Sequence, residues 1–386
     1  MKKSILVLVT IGLLASCKKS AETTPAPETP ETTTVDILQK KPTGVLKNGD
    51  ATAENPAFTE TGGEVATWDN IVRAETAKYF AAEQIESGTN KFRHERSGID
   101  LKNQTVIRSN FDLIYSYAVY DISGGLKITV PPYDLYHIVH VLDENSVTIG
   151  VCYPGKTLEL KASDATYGSH VYLFMRTQSR SNDAKGMEEM RKRQDAVVVE
   201  AGSNKPFVPE VKYDVASFNK LRKQIITDAV TRAVIEKGFV DNIKDISTPQ
   251  YQYINLAGWA GLPAKHAYYF VVLPGDEAAK NGEPSSVTFK KPDLKYGESG
   301  YWSLTIYDEQ GWVVTDPFHL NSHQVKPNPD GTITLNFNGG PDAINNIKVP
   351  KNWNGLFRCY LPVSVPSMIA YKEDFTKNHK VVAVKK

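Results

Sequence analysis

The chain has 386 residues, of which 41% are hydrophobic, and this is enough for a sizeable packed core. Its 45 basic and 44 acidic residues leave a net charge of +1, which argues against nucleic-acid binding because that function usually requires a basic face. After residue 17, no run reaches the roughly 18 consecutive apolar residues of a bilayer-spanning helix.

Residues 1–17 have the organisation of a bacterial lipoprotein signal peptide. Two lysines are followed at residues 4–14 by an apolar run that is too short to span a bilayer. The sequence LASC then resembles a lipobox, in which Cys17 would become the first residue and carry acyl chains that anchor the protein in a membrane. An ordinary secretory signal with an incidental cysteine is the alternative. An aspartate directly after the lipidated cysteine resembles an inner-membrane retention signal. Lys18 stands at this position instead, which favours the outer membrane of a Gram-negative cell envelope.

The segment 18–35 is rich in Thr, Pro and Glu and contains no aromatic residue. Such a composition cannot bury enough apolar surface to fold, so we expect a disordered tether between the lipid and the folded part.

The next region, 36–182, is predicted to contain one helix followed by an antiparallel β-domain. Trp68, Ile71 and further apolar residues recur at helical spacing over 67–86, with Thr67 as the expected N-cap. Short runs of Val, Ile, Tyr and Thr, separated by turn signals, then continue to about Arg176.

The region 183–250 is predicted to be a helical connector. One helix is expected from Asp183 to about Glu200, with Val197 and Val198 on its apolar face. A second is expected from Val215 to Lys237, where a glycine ends it.

From Tyr253 the chain is expected to return to strands, including 301–307, a turn to 312–314, and 332–337, where apolar and polar residues alternate. This gives a C-terminal β-sandwich over 251–386. The predicted fold class is therefore α+β, mostly β, with two antiparallel β-sandwich-like domains joined by a helical connector.

Short motifs occur in a fixed order along both parts of the chain. In the first part they are RSNFDLIYS, DIS, YPG, FMRT and RQD, and in the second part YWSLTIYD, NPDGTIT, NW and FRCYLP. In these motifs the chain resembles the paired bacterial families called domains of unknown function 1254 and 1214, from about residue 67 to the end. The resemblance implies β-sandwich domains with helices packed between them, and it implies no particular reaction.

Polar and aromatic residues within these strand-like runs are the candidate ligand-binding groups. A buried carboxylate–arginine pair fixes strand geometry, whereas the same pair at a pocket mouth binds a polar ligand. An arginine among aromatic rings similarly belongs either to a core or to a platform that holds a sugar. The candidates are Asn110, Tyr115, Asp121, Arg176, Trp302, Tyr307, Arg358 and Tyr360.

No metal site, cofactor or catalytic set is predicted. The spaced pairs His137/His140 and His319/His323 lie in strand or loop texture without a flanking carboxylate motif, so they are interpreted as core or solvated histidines. His170 follows a serine but no nucleophile elbow surrounds it. The two remaining cysteines, at 152 and 359, lie far apart in apolar runs and are interpreted as separate buried thiols rather than a disulfide.

Three functions stay open at this point. The first is a lipid-anchored envelope protein that binds a glycan or a small organic ligand in a β-sandwich groove. The second is a hydrolase of undescribed mechanism, which requires several acid–base groups in one pocket. The third is a structural or assembly partner, which requires an exposed apolar patch. The sequence leaves association into a homo-oligomer open.

Overall fold

The computed structural model describes residues 49–98, 100–101, 104, 108–181 and 183–384. The expected signal peptide, the lipid attachment at Cys17 and the tether over 18–35 lie outside the described residues. The prediction of an α+β, mostly β fold with antiparallel sheets is confirmed. The division into two domains and a connector stays a prediction.

We call residues 49–260 the N-terminal half. Its strands are β1 (Phe58–Thr59), β2 (Arg93–His94), β3 (Leu113–Asp121), β4 (Leu126–Val130), β5 (His137–Asp143), β6 (Thr148–Cys152), β7 (Lys156–Leu160), β8 (His170–Gln178), β9 (Val198–Ala201) and β10 (Tyr213–Asp214). Its helices are α1 (Ile71–Ser87), α2 (Ala184–Asp195), α3 (Val215–Arg232) and α4 (Pro249–Ala257).

A five-stranded sheet in the order β2-β3-β8-β5-β6 forms the centre of this half, and a three-stranded sheet in the order β7-β4-β9 accompanies it. One face of the larger sheet shares an apolar core with the smaller sheet, as Ala118 and Leu173 do with Ile128. The opposite face contributes Tyr172 to a second core, together with Phe80 from α1 and Phe218 from α3. That second face continues beyond the helices toward the other half of the chain.

We call residues 261–384 the C-terminal half. Its strands are β11 (Ala267–Val272), β12 (Ser285–Phe289), β13 (Tyr301–Tyr307), β14 (His319–Asn321), β15 (Ile333–Phe337), β16 (Asn346–Ile347), β17 (Asn354–Tyr360) and β18 (Val382–Ala383). Its helices are α5 (Glu277–Lys280) and α6 (Val365–Asn378).

Two four-stranded sheets, ordered β11-β17-β13-β14 and β16-β15-β12-β18, form the C-terminal half. Trp302 and Phe357 from the first sheet share a core with Leu335 from the second and Phe375 from α6. The other face of the first sheet, which carries Tyr301 and other alternate residues, lies against the N-terminal half. The two halves therefore meet sheet to sheet.

The first predicted helix begins later than expected. Asn70 rather than Thr67 is its N-cap, and the Thr67 carbonyl accepts the N–H of Ile71 before the helix starts. Trp68 consequently lies outside the helix and is exposed.

Two further predictions were wrong beside α2. The helix ends at Asp195, and Val198 belongs to β9, which pairs with β4. The run of β-branched valines explains the change, because such residues favour extended backbone over helix.

Two expectations for residues 251–386 also fail, and one helix in this range was not predicted. Tyr253 lies in α4 rather than in a strand, and α6 was not predicted at all. Residues 312–314 form no strand, since the Gln104 side chain bonds both the N–H and the carbonyl of Val313. β14 takes the expected place beside β13. None of the described helices is long and apolar enough to cross a bilayer.

Candidate functional site

Six of the eight candidate residues come together where the two halves meet. Asn110 precedes β3, Tyr115 lies on β3 and Arg176 on β8, all in the N-terminal half. The three from the C-terminal half, Tyr307, Arg358 and Tyr360, lie on the face of β13 and β17 that is turned toward them. Six of the residues selected from the sequence therefore meet at this interface, although two of them, Asn110 and Tyr360, are 250 residues apart along the chain.

Trp302 and Asp121 lie elsewhere. Trp302 lies on the opposite face of β13, where it packs against Phe357 in the apolar core. Asp121 ends β3, and its carboxylate accepts backbone N–H groups of Ser123 and Lys205. Burial raises the pKa of Asp121, but the Ser123 and Lys205 hydrogen bonds outweigh burial and lower it to about 2. Both residues are structural.

A pocket of about 260 Å³ opens at the interface, between the ends of β3 and β8 and the strand β14. Its floor is buried and its mouth is exposed, as the accessibility of its residues shows. The lining residues are Phe111, Asp112, Leu135, Gln178, Ser179, Arg180, Ser181, His319, Asn321, His323 and Gln324.

Asp112 lies at the floor of this pocket with its side chain fully buried. Asn321 Nδ2 donates to Asp112 Oδ1 over 2.9 Å, and His319 Nε2 lies 3.8 Å from the same oxygen. The other oxygen, Oδ2, is buried and has no hydrogen-bond partner among the described residues. Since buried carboxylate oxygens are normally paired, Oδ2 is an acceptor that the described residues leave unused.

The pairing of β14 explains why these side chains meet. Asn321 pairs with Ser303 and His319 with Thr305, so both follow the polar face of β13. His323 stacks on Tyr301, with ring centroids 5.8 Å apart, and stands at the mouth. From the sequence, His319 and His323 are interpreted as core or solvated histidines rather than metal ligands, and Asn321 between them is not among the candidates.

An aromatic cluster lies behind the pocket. The Tyr301 and Tyr360 rings stack with centroids 4.5 Å apart, and Tyr136 of the N-terminal half lies 4.9 Å from Tyr360. Asn110 Nδ2 donates to the Tyr360 hydroxyl over 2.5 Å. The hydroxyls of Tyr136 and Tyr301 are buried without a partner in the described part of the chain. The interface thus holds several polar atoms that its own residues leave unbonded.

The two arginines lie deeper in the same interface. Arg358 donates to the Tyr307 hydroxyl over 2.9 Å, and that hydroxyl donates to the Ser109 carbonyl over 2.6 Å. Arg176 donates to His140 Nδ1 over 3.2 Å. Burial and the Arg176 charge hold the pKa of His140 well below its usual value, so this imidazole is neutral and accepts the hydrogen bond.

The remaining sequence candidates for chemistry do not line the pocket. His137 bonds the Thr177 hydroxyl on the other face of β5 from His140, and His170 bonds the Lys205 carbonyl. Cys152 and Cys359 are free buried thiols in separate cores. Among the described residues, no group of three or more His, Cys, Asp and Glu side chains is arranged to hold a metal ion.

The fold and the site define an α+β protein with a polar, partly open interface between two sheets. Residues 89–201, which span β2 to β9, match the family described as Protein of unknown function (DUF1254), so the first part of the expected resemblance is confirmed. No curated protein matches the chain.

Two solved structures are similar to the chain. VPA0106 of Vibrio parahaemolyticus has a TM-score of 0.61 at 14% identity, over 82% of this chain and 97% of that chain. This likeness shows a shared fold across both halves. An uncharacterised protein from Burkholderia cenocepacia has a TM-score of 0.44 at 11% identity, over 77% of this chain and 84% of that chain.

Proposed function

We propose that the protein binds a small polyhydroxylated organic ligand, such as one sugar unit of a glycan, in the pocket above Asp112. The observation that carries the proposal is the buried, unpartnered Oδ2 of Asp112 at the floor of an open pocket. A ligand hydroxyl that donates to this oxygen would satisfy it, and such bonds to charged groups contribute about 1.5–3 kcal/mol.

The rest of the pocket supports a ligand of this kind. Asn321, His319 and the exposed Arg180 supply polar groups around the carboxylate, while Phe111 supplies an apolar wall. A few convergent polar groups on a partly apolar wall are typical of small-molecule sites, and the volume of about 260 Å³ suits one small ring rather than a long chain.

The test is isothermal titration of the full chain, purified in detergent, with a panel of monosaccharides and polyols. We expect at least one to bind, and Asp112→Asn to weaken that binding about 10- to 100-fold, because the amide nitrogen replaces the free acceptor with a donor. Asp330→Asn, in an exposed turn, is the matched control and should bind as the wild type does. A panel without any binder, or equal affinity in Asp112→Asn, contradicts the proposal.

One observation favours hydrolysis as the second candidate. Asp112 and His319 place a carboxylate 3.8 Å from an imidazole in the same pocket, and such a pair can supply a general base once a substrate tightens its geometry. Turnover of nitrophenyl esters or glycosides that is lost in both Asp112→Asn and His319→Gln would establish it. Binding without turnover would leave the first candidate.

For location and family, we propose a lipid-anchored envelope protein attached through Cys17, most simply at the outer membrane of a Gram-negative cell. The LASC motif and the tether composition of residues 18–35 support this. The order of motifs in the C-terminal half supports its pairing with domain of unknown function 1214. The test is the mass of the wild-type protein and of Cys17→Ala in the membrane fraction. A wild-type protein whose mass shows no acyl chains on Cys17 would contradict the anchor.

A further inference from the structure

Each half presents a tyrosine beside an arginine on the sheet that faces the other half. In the N-terminal half, Tyr115 on β3 pairs directly with Arg176 on β8. In the C-terminal half, Tyr269 on β11 pairs directly with Arg358 on β17. The same apolar cluster includes both tyrosines among its partly buried members, so the two pairs lie on opposite walls of one interface.

Arg176 is 5% exposed and has only neutral partners. Its Nη2 donates to the Ala260 carbonyl over 2.6 Å and its Nη1 to His140 over 3.2 Å. Its guanidinium carbon lies 4.0 Å from the centre of the Phe174 ring, a cation–π contact.

Arg358 is 4% exposed and is also surrounded by neutral groups. It donates to the Thr305 hydroxyl over 3.1 Å, to the Arg108 carbonyl over 2.8 Å and to the Tyr307 hydroxyl over 2.9 Å. None of the carboxylates in the described ranges lies within ion-pair distance of either arginine. Two buried positive charges without a counter-charge are costly, and this is the arrangement that an anion would relieve.

The backbone that holds the guanidiniums is strained. Ala260 and Arg108, whose carbonyls accept from Arg176 and Arg358, both adopt left-handed conformations, with φ of 60° and 52°. For residues other than glycine this costs about 1–3 kcal/mol each and is found mostly at functional sites. Both arginines are therefore fixed by parts of the chain whose conformation is itself unfavourable.

The two charges act on the same pair of hydroxyls. Burial raises the pKa of Tyr115, Arg176 and Arg358 both oppose this, and the net pKa is about 12. Burial likewise raises the pKa of Tyr269, and the same two arginines oppose it. Tyr115, Tyr269 and Phe174 are only half-buried, so these rings leave an aromatic approach to the charges.

We propose that the two Tyr–Arg pairs form a binding site for an organic carboxylate with an aromatic or apolar body. The planar guanidinium groups match the geometry of a carboxylate, and the half-buried rings would cover its body. The tyrosine hydroxyls, neutral at pH 7, would donate to it as well. This site goes beyond the pocket at Asp112 and does not depend on what that pocket binds.

The probe is benzoate, titrated calorimetrically into the full chain at constant ionic strength, with benzamide as its neutral analogue and inorganic phosphate as the competing anion. We expect benzoate to bind and both others to bind at least tenfold more weakly. Tyr115→Phe and Arg358→Lys should each weaken benzoate binding at least tenfold. Tyr120→Phe, on the opposite face of β3, is the matched control and should not change it.

Several results would overturn the proposal. If benzoate does not bind, the proposed site does not exist. If benzamide binds equally well, the negative charge of the ligand plays no part. If phosphate binds equally well, the site does not recognise an organic body. If Tyr115→Phe leaves the affinity for benzoate unchanged, benzoate binds at another place in the protein. If Arg358→Lys does not fold, the Tyr115→Phe variant alone tests the proposed site. Asp112→Asn should not weaken benzoate binding whether or not a sugar binds above Asp112, which separates the two proposals.

Discussion

The sheet β11-β17-β13-β14 has two buried faces with opposite chemistry. Every residue of β13 is buried, yet Trp302, Leu304 and Ile306 alternate with residues such as Ser303 and Thr305. The apolar face joins a core of packed aromatic rings, whereas the other face holds polar atoms of which several have no partner among the described residues. In β13, alternation along the strand therefore places apolar and polar side chains on two different buried faces, rather than buried and exposed side chains on opposite faces. Since burying unpaired polar groups reduces stability, we expect the polar face to contribute less to the free energy of unfolding than the apolar face.

The largest effect should come from the apolar face. Phe357 stacks on Phe270 with ring centroids 4.9 Å apart and lies 5.2 Å from Trp302. We expect Phe357→Ala to lower the free energy of unfolding by about 3–5 kcal/mol, measured by urea denaturation, because it leaves a cavity in a close-packed core. Val363→Ala, at an exposed position, should change it by less than about 0.5 kcal/mol. A loss below about 1 kcal/mol for Phe357→Ala would mean that this face is not a rigid core.

Lowering the pH should reduce the free energy of unfolding through a buried histidine at the interface between the two halves. His140 has a native pKa far below that of an unfolded histidine because it is buried and lies beside Arg176. The unfolded chain therefore takes up a proton first as the pH falls through about 6.5, and the stabilisation present above that pH is lost. Between pH 7 and pH 5, His140 should account for about 2 kcal/mol of lost unfolding free energy.

The check is the pH dependence of urea unfolding in the wild type and in His140→Gln, which cannot titrate. The variant should lose about 2 kcal/mol less than the wild type over this range. Identical pH dependence in the two proteins would show that His140 is protonated within the folded state.

The smallest changes in the free energy of unfolding are expected from two hydroxyl groups on the polar face. Ser303 Oγ is buried and no described residue bonds to it, whereas Thr305 Oγ1 accepts from Arg358 over 3.1 Å. We expect Ser303→Ala to raise the free energy of unfolding by about 1 kcal/mol, since it removes an unsatisfied polar group, and Thr305→Val to lower it. Thermal and urea unfolding measure both. Loss of stability in Ser303→Ala would mean that a bound water already satisfies the hydroxyl.

Local patterns predicted the strands well but not every boundary. The motif at 301–307 and the alternation before Phe337 both correspond to strands, because β-branched and aromatic residues fit a pleated surface. The helix expected up to Glu200 ends earlier, and the strand expected at 312–314 is replaced by bonds from Gln104. Such a contact, across about 200 residues, has no local signal in the sequence.

The site was only partly predictable for the same reason. Arginines within apolar strands stand out in a sequence, and Arg176 and Arg358 were identified on that basis. Tyr269 and Tyr136 carry no such signal, since a tyrosine in a strand is most often core. The two faces of β13 could not be distinguished beforehand either, because Trp302 and Tyr307 look equally suited to a binding platform until the register of the sheet is known.

The arginine contacts also bear on how such a chain can evolve. Arg358 of the C-terminal half holds the carbonyl of Arg108 in the N-terminal half, and Tyr307 holds that of Ser109. In the other direction, the Gln104 side chain of the N-terminal half bonds both the carbonyl and the N–H of Val313 in the C-terminal half. Each half thus completes the backbone hydrogen bonding of the other's connecting segments. We therefore expect the two halves to be inherited and lost together.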